Sequence, residues 1–226
     1  MTSQLLFGEG VTVHGSERYF WRVSCDHDGH YGWIDHRQVA GLMGAEPSSW
    51  FVSGTVATAR SPGATLTLVR GSLLPRFADG SFRLAGRIFE LDGQARPVGA
   101  DDPVDIALQY LGAPYLWGGR SPFGIDCSGL VQVAFGLAGI PLPRNSQEQA
   151  RCGVPAGSSP DSVRRGDLVT CNAVTLGSHI GIALDATHIL HASGQVRIDR
   201  LTEDGIVSAD TGELTHHLGE IRRIRG

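Results

Sequence analysis

The sequence has no apolar run that approaches the roughly 20 residues needed for a membrane-spanning helix. Nor is it basic, since 19 Lys and Arg residues stand against 23 Asp and Glu residues, a net charge of -4. Proteins that bind nucleic acid usually carry a clustered basic surface, so we expect no nucleic-acid partner. Residues 1–10, MTSQLLFGEG, contain neither a basic leader nor a long apolar segment. We therefore expect a cytoplasmic protein without a membrane partner.

Paired cysteines are also lacking, because the four cysteines show no C-x-x-C spacing. Neither a zinc site nor a disulfide framework is indicated, so we expect free thiols and no metal or cofactor. Cys25 and Cys171 lie in alternating or apolar stretches, where a buried and inert thiol is the usual outcome. Only Cys127 has neighbours that suggest chemistry.

The length of 226 residues allows a catalytic domain and one or two small modules. Short segments rich in Val, Tyr, Phe and Trp, separated by Asp-Gly, Gly and Pro, fill the first 98 residues, and LLPRFADG and SFRLAGRIFEL are two of them. Such segments are typical of antiparallel strands. They predict two small β-barrels, at residues 1–45 and 46–98.

The pattern changes near residue 98, and residues 99–226 predict an α+β domain with helices first and a sheet second. The segment ADDPVDIALQYLG has an acidic start and an early proline, which predict a capped amphipathic helix whose apolar side holds Val104, Ala107, Leu108 and Leu111. A second helix is expected from Asp126 to Leu137 and a short third one over 146–151. Strands are expected at GDLVTC, SHIGIALD, THILHAS, QVRIDRL and GEIRRIRG.

Cys127 is the candidate nucleophile. A thiol becomes reactive when its thiolate is stabilised, as at a helix N-terminus or beside an imidazolium. Asp126 is a suitable N-cap, and an apolar periodicity starts just after Cys127, so we expect the Cys127 sulfur to be held as a thiolate at the helix N-terminus. The free N–H groups of this first turn can also hold an oxyanion beside the thiol.

Two histidines are candidates for the base and its partner. His179 lies in an alternating strand on the same side as two small residues, which leaves room for a substrate. His191 is on the following strand and can orient the His179 ring, as the third member of a catalytic triad does. From the residues alone, alternatives stay open: Cys127 as a small helix-start residue, His179 as a satisfied sheet histidine and His191 as an exposed strand end.

Several sequence blocks together resemble one enzyme family. PYLWGGRSPFGIDCSGLVQ, followed by RRGDLV, SHIGIAL and ILHASG, resembles the NlpC-like cell-wall cysteine peptidases, which are papain-like. The resemblance covers residues 99–226 and implies that Cys127 attacks, His179 is the general base and His191 orients it. By the same resemblance Tyr115 offers its hydroxyl to the oxyanion. The substrate-lining residues that it implies are Asp126, Ser128, Arg120 and Trp117, although an aromatic residue beside a glycine-rich loop often serves packing alone.

The first barrel region is similar to the bacterial SH3-like domains that are fused to such peptidases. LLFGE, W-x-V and D-G-x-x-G-W-I carry this resemblance. It implies that the SH3-like part closes one end of the groove over a free N-terminal L-alanine, with Glu9 as a candidate partner of the ammonium group. Many relatives have tyrosine where this chain has His30, so His30 is a second candidate contact whose role departs from the family pattern.

The resemblance implies an enzyme that hydrolyses the γ-D-glutamyl–diamino acid bond of peptidoglycan stem peptides during cell-wall recycling. Its partners would be peptidoglycan-derived peptides, and no cofactor is required. One alternative keeps the papain-like chemistry on another bond, as an amidase, an acyltransferase or a toxin. A second alternative is a non-catalytic module that binds wall peptides.

Overall fold

The structure is a computed structural model that describes residues 1–39, 48–173 and 177–224. It consists of two compact units, Met1–Ala100 and Asp101–Gly226. Strands of the first unit are β1 Val11–Glu17, β2 Phe20–Cys25, β3 Tyr31–Asp35, β4 Trp50–Val52, β5 Val56–Ser61, β6 Ala64–Val69, β7 Ser81–Leu84, β8 Arg87–Asp92 and β9 Ala95–Pro97.

The first unit contains two main antiparallel sheets. One has the order β1-β2-β3 and the other has the order β6-β5-β8-β7, while β4 pairs with β9. Buried side chains of the second sheet and its neighbours form a core that includes Val52, Leu68 and Phe82. The predicted boundary between two modules at residue 45 lies outside the described residues, and the SH3-like character of both modules stays a prediction.

Two expectations for this unit were wrong in detail. The segment LLPRFADG forms isolated bridges at Leu73 and Ala78 but no strand. SFRLAGRIFEL is a hairpin of β7 and β8, and its turn residues Ala85 and Gly86 have φ values of 49° and 76°. Positive φ at both central positions is what a type I′ turn requires, and its twist matches the flanking strands.

Elements of the second unit are α1 Pro103–Leu108, β10 Arg120–Ser121, β11 Gly124–Ile125, α2 Cys127–Leu137, α3 Ser146–Gln149, β12 Val154–Gly157, β13 Leu168–Ala173, β14 Ser178–Ala183, β15 His188–Ser193, β16 Gln195–Thr202, β17 Gly205–Val207 and β18 Leu214–Arg223. The predicted order of helices first and strands second is therefore present. Four of these strands, β10, β11, β12 and β17, were not predicted from the sequence. Within the described ranges, no helix is both long and apolar enough to cross a bilayer.

Six strands of the second unit close into a ring. The sheet order is β12-β18-β13-β14-β15-β16-β17, and β17 pairs back to β18. Each ring strand contributes to one buried cluster, which places this core inside the ring; its members from the strands are Val169, Cys171, Ala183, Ile189, Leu201, Ile206 and Ile221. The ring fixes the position of every side chain on its inner face.

Helix α1 begins where it was predicted and ends early. Asp102 is its N-cap and accepts a hydrogen bond from the Val104 N–H at 2.8 Å, with Pro103 in the first turn. The helix ends at Leu108, so Leu111 lies beyond it and its side chain is 49% exposed. Ile106 is buried in its place, which corrects the predicted apolar side.

Helix α2 has the predicted bounds and is buried nearly all round. It packs against α1, β14 and β15, and its buried residues include Leu130, Val131 and Phe135. A helix that is apolar on most sides belongs in a core, where tertiary contacts supply most of its stability. This packing holds the helix N-terminus at one place against the sheet.

Candidate active site

Cys127 is the first residue of α2 and is buried. Asp126 caps the helix in an extended conformation and accepts a hydrogen bond from the Gly129 N–H at 2.7 Å. The predicted N-cap is therefore confirmed. The backbone N–H of Ile180 is hydrogen-bonded to the Cys127 sulfur. Because Ile180 directly follows His179 in β14, the thiol lies beside the strand that carries the predicted base.

A buried ion pair supports this helix start. Arg144 donates hydrogen bonds to both carboxylate oxygens of Asp126, at 3.0 and 2.7 Å, and to the Ser128 hydroxyl at 2.8 Å. The Gly118 N–H also donates to Asp126 at 2.7 Å. The Arg144 side chain is only 2% exposed. Asp126 and Ser128 are thus engaged with the protein itself, and their predicted contact with substrate stays a prediction.

The Cys127 thiol is protonated at neutral pH in this environment. Burial, followed by the nearby Asp126 carboxylate, raises its pKa to about 11. The N–H groups of Ile180 and Ser128 and the Arg144 guanidinium oppose this rise without overcoming it. The expectation that the helix N-terminus holds a standing thiolate is therefore wrong, since burial outweighs the favourable contacts. For Cys127 to act as a nucleophile, a base would have to remove the thiol proton at the moment of attack.

His179 and His191 are joined by a hydrogen bond, as the triad hypothesis requires. His179 Nε2 lies 2.8 Å from His191 Nδ1, and the two rings meet edge to face at 83°. His191 Nε2 lies 2.9 Å from Asp199 Oδ2. All three side chains are buried, so the chain of contacts is shielded from water. His191 is a fully buried residue rather than an exposed strand end.

These three residues lie on the core face of the ring. Side chains alternate along a strand, so each residue shares a face with the residue two or four positions away. On its own strand, each site residue shares a face with a residue of the buried core cluster. Ala183 corresponds in this way to His179, Ile189 to His191 and Leu201 to Asp199. A charged group at such a position requires specific partners. Asp199 has them, because its Oδ1 accepts from Arg197 at 2.9 Å and from the Ala209 N–H at 2.8 Å.

A third histidine, His216 on β18, stacks on His179 with a ring-centre distance of 4.1 Å. Burial, then His191 and His216, lowers the pKa of His179 to about 2. Burial, then His191, lowers the pKa of His216 to about 4, against a smaller opposite effect of Asp199. The stacked rings are therefore neutral at pH 7, and His179 is able to accept a proton.

The three imidazoles also form the one group of potential metal ligands found among the described residues. Their ligand atoms all lie within 4.8 Å of one another. Both ring nitrogens of His191 are already engaged, one with His179 and one with Asp199. An ion bound by all three rings would have to displace one of these contacts.

The glycine-rich loop before the helix presents Tyr115. Its N–H donates to the Gly194 carbonyl at 2.9 Å, and its side chain is half-exposed. Burial, then Cys127 and Asp126, raises the pKa of Tyr115 to about 12, so the hydroxyl keeps its proton and can donate. Trp117 is 71% exposed and Arg120 is buried on β10. The predicted substrate contacts of these two residues stay predictions.

Glu9 and His30 belong to the first unit. The Glu9 carboxylate accepts a hydrogen bond from the Leu6 N–H at 2.7 Å and lies 3.9 Å from His27. The His30 N–H donates to Asp28 at 2.8 Å, and its ring lies 3.4 Å from the Thr2 hydroxyl. Glu9 is thus a largely buried carboxylate, and recognition of an amine by either residue stays a prediction.

Sequence reasoning missed Arg144, Asp199 and His216. The position of Asp199 could have been predicted from the sequence. Gly194 marks a tight turn between β15 and β16. The register counted from this turn pairs His191 with Arg197 and Ile189 with Asp199, which puts Asp199 diagonally across from His191. Arg144 and His216 carry no comparable signal. Each is far from its partners in sequence and meets them only in the folded domain.

The residues of this site lie in a part of the chain that resembles known proteins. Residues 112–214 match the model of the NlpC/P60 family, so this part of the chain is similar to an NlpC/P60 domain. The match includes Cys127, His179, His191 and Asp199, but it ends before His216. A solved structure titled as an NlpC/P60 family protein from Bacillus cereus superposes with a TM-score of 0.79 over 98% of this chain and 81% of that one, at 23% identity. That likeness concerns the fold.

Two curated relatives are peptidases by name. A probable endopeptidase of Mycobacterium tuberculosis is 44% identical over 90 residues, which cover 40% of this chain and 22% of that protein. A γ-D-glutamyl-L-lysine dipeptidyl-peptidase of Bacillus subtilis is 29% identical over 221 residues, which cover 84% of this chain and 71% of that protein. The relatives matched at 40% identity or more are covered over only 20% to 35% of their length.

Proposed function

We propose that the protein is a cysteine endopeptidase that hydrolyses the γ-D-glutamyl–diamino acid bond of peptidoglycan stem peptides. The observation that carries the proposal is the placement of the Cys127 thiol against the Ile180 amide, next to a neutral His179 that is hydrogen-bonded to His191. A nucleophile, a base and a residue that orients the base are the parts that acyl transfer requires.

In the first half of the reaction His179 takes the thiol proton as the sulfur attacks the γ-carbonyl carbon. The new carbon–sulfur bond leaves the negative charge on oxygen. Tyr115 is protonated and near Cys127, so its hydroxyl and the N–H groups of the α2 first turn are suited to hold that charge. When the intermediate collapses, the carbon–nitrogen bond breaks and the His179 imidazolium protonates the departing amine.

In the second half water attacks the thioester. His179, neutral again, takes a proton from that water, and the acid product leaves as the carbon–sulfur bond breaks. The departing thiolate recovers the proton from His179. The low pKa of His179 favours this return of the proton, because the imidazolium form of a weakly basic imidazole releases its proton readily.

The choice of bond rests on the relatives. The B. subtilis relative that aligns over most of this chain is named for the γ-D-glutamyl-L-lysine bond, which has the same γ-linked D-glutamate. We propose the same bond here, with lysine or diaminopimelate as the diamino acid, and a recycling role on released peptides in the cytoplasm. Cell fractionation with an antibody against the native protein tests the location, since recovery in the wall fraction would contradict it.

The activity is tested with a panel of L-Ala-γ-D-Glu peptides ending in L-lysine or meso-diaminopimelate, each with a free and an acetylated N-terminus. Mass spectrometry should show the L-Ala-D-Glu dipeptide and the free diamino acid. Cys127→Ala should abolish release, whereas Cys152→Ala, which removes the half-buried thiol outside the site, should not. Cleavage of the free peptides alone would support the recycling role.

Other products separate the alternatives. Release of a different fragment would indicate an amidase or another bond, and transfer to an added amine would indicate an acyltransferase. Persistent release by Cys127→Ala would contradict the mechanism. A thiol-reactive substrate analogue that labels Cys127 no faster than Cys25 or Cys171 would favour a binding module.

A further inference from the structure

We propose that Asp199 is a positioning residue that sets the tautomers of both histidines and so makes His179 a base. The inference deepens the proposed function and rests on it for its kinetic part. Asp199 contacts His191 and lies one residue further from the thiol than the Cys-His-His set implied by the family resemblance. The hydrogen-bond chain Asp199, His191, His179 links it to the proposed reaction.

The tautomers follow from counting donors and acceptors along this chain. Hydrogen bonds from His191, Ala209 and Arg197 lower the pKa of Asp199 although burial alone would raise it, so Asp199 is an ionised carboxylate that only accepts. His191 Nε2 must then carry the proton that faces Asp199. A neutral imidazole has one donor and one acceptor, so His191 Nδ1 accepts from His179 Nε2. That leaves Nδ1 of His179 unprotonated and basic.

The structure makes this reasoning testable with one isosteric change. Asp199 Oδ1 accepts from two obligatory donors, the Ala209 N–H at 2.8 Å and the Arg197 guanidinium at 2.9 Å. In Asp199→Asn the amide oxygen must stay at that position, because an NH₂ group there would face both donors. The NH₂ group is therefore forced toward His191 Nε2 and turns it into an acceptor. His191 then donates to His179 Nε2, and the proton of His179 moves to Nδ1, where a base is needed.

Tautomers are read by ¹⁵N NMR of histidine-labelled protein without substrate. Wild type should show Nε2–H on both His179 and His191, and Asp199→Asn should show Nδ1–H on both. The same variant should lose about 10³-fold or more in kcat with little change in KM, as the matching change in serine proteases costs about 10⁴-fold through the wrong tautomer. Asp210→Asn is the matched control, since exposed Asp210 also pairs with Arg197, at 2.8 Å, but lies outside the chain of contacts to His191. It should change neither tautomer nor kcat.

Each outcome decides a separate point. Nδ1–H on wild-type His179, or protons on both nitrogens of His191, would overturn the inference. This measurement uses the wild-type protein alone, so it does not depend on whether a variant folds. A folded Asp199→Asn protein with wild-type tautomers and kcat would also overturn it. If wild type cleaves no panel peptide while the tautomers are as stated, the proposed function and the kinetic part of the inference fail, and the role of Asp199 in setting the tautomers stands. If wild type cleaves and its tautomers are reversed, the inference alone fails.

Discussion

The helix side and the sheet side of the site each contain a buried aspartate that is paired with an arginine, yet the two aspartates have different partners. On the helix side, Asp126 faces backbone N–H groups and Arg144, and its charge helps to raise the pKa of Cys127. On the sheet side, Asp199 faces an imidazole as well as Arg197. We infer that its carboxylate sets which nitrogens of His191 and His179 carry protons, whereas Asp126 caps a helix.

The difference shows that the partner of a buried carboxylate decides its role. Asp126 satisfies a helix terminus, so its contribution is mainly to structure, and Arg144 limits the electrostatic cost to the thiol. Asp199 is hydrogen-bonded to His191, whose ring has two tautomers, so its proposed contribution is to the protonation pattern of the histidines. The following predictions test this division between the helix side and the sheet side.

The largest expected effect is that of Arg144→Met on the free energy of unfolding. It leaves the Asp126 carboxylate buried without its ion-pair partner, and we expect a loss of about 3–5 kcal/mol. Arg197→Met is the control, because its side chain is 20% exposed and Asp199 keeps the Ala209 N–H and His191. Urea unfolding of both variants measures the difference. Equal losses would contradict the claim that the helix side is the structural one.

Next in size is Tyr115→Phe, which removes a proposed oxyanion donor from the helix side. Loss of one such donor costs about 10²-fold or more in kcat. Steady-state kinetics on a stem peptide should therefore show a fall in kcat with little change in KM. Trp117→Phe, at the exposed neighbour, should alter KM rather than kcat. An unchanged kcat in Tyr115→Phe would remove this residue from the mechanism.

Two glycines of α2 provide a smaller and paired test. A Cβ at Gly129 would overlap severely with the Gly119 carbonyl oxygen and lie 2.9 Å from Asp126 Oδ1, so Gly129→Ala should cost about 1–3 kcal/mol. A Cβ added at Gly136 would meet no atom within 4 Å beyond its chain neighbours and its own helix backbone, so Gly136→Ala should stabilise the helix by about 0.5–1 kcal/mol. Thermal unfolding followed by circular dichroism checks both signs. If Gly129→Ala left the stability unchanged, the close approach of the Gly119 carbonyl to the start of α2 would not be required for stability.

The last prediction concerns pH and the sheet side. Because the folded pKa values of His179 and His216 are about 2 and about 4, the unfolded chain binds protons more readily below its histidine pKa of 6.5. Stability is therefore complete above pH 6.5 and falls as the pH drops toward 4, by about 1.4 kcal/mol per unit for each histidine. His216→Asn should reduce this slope, whereas His217→Asn at the exposed neighbour should not. Urea midpoints at pH 7 and pH 5 measure it, and an equal slope in all three proteins would contradict the assignment.

The sequence alone was sufficient for features that depend on neighbouring residues. The Asp126 cap, the bounds of α2 and the strands around His179 and His191 all follow from local periodicity and capping, and the structure confirms them. The end of α1 was placed too late, because helical spacing extended to Leu111 while the chain turned away after Leu108. Capping marks a helix start more clearly than spacing marks its end.

What the sequence determined by itself is a thiol at a capped helix start, followed by two strands that each carry a histidine. Tertiary structure alone decided which charges surround them. Arg144 reaches Asp126 across 18 positions, and His216 meets His179 only because β17 and β18 close the ring. Burial of the thiol, which reverses the expected direction of its pKa, is likewise a property of the packed domain. Local patterns report which groups are present, whereas desolvation and long-range pairing depend on the elements that pack around them.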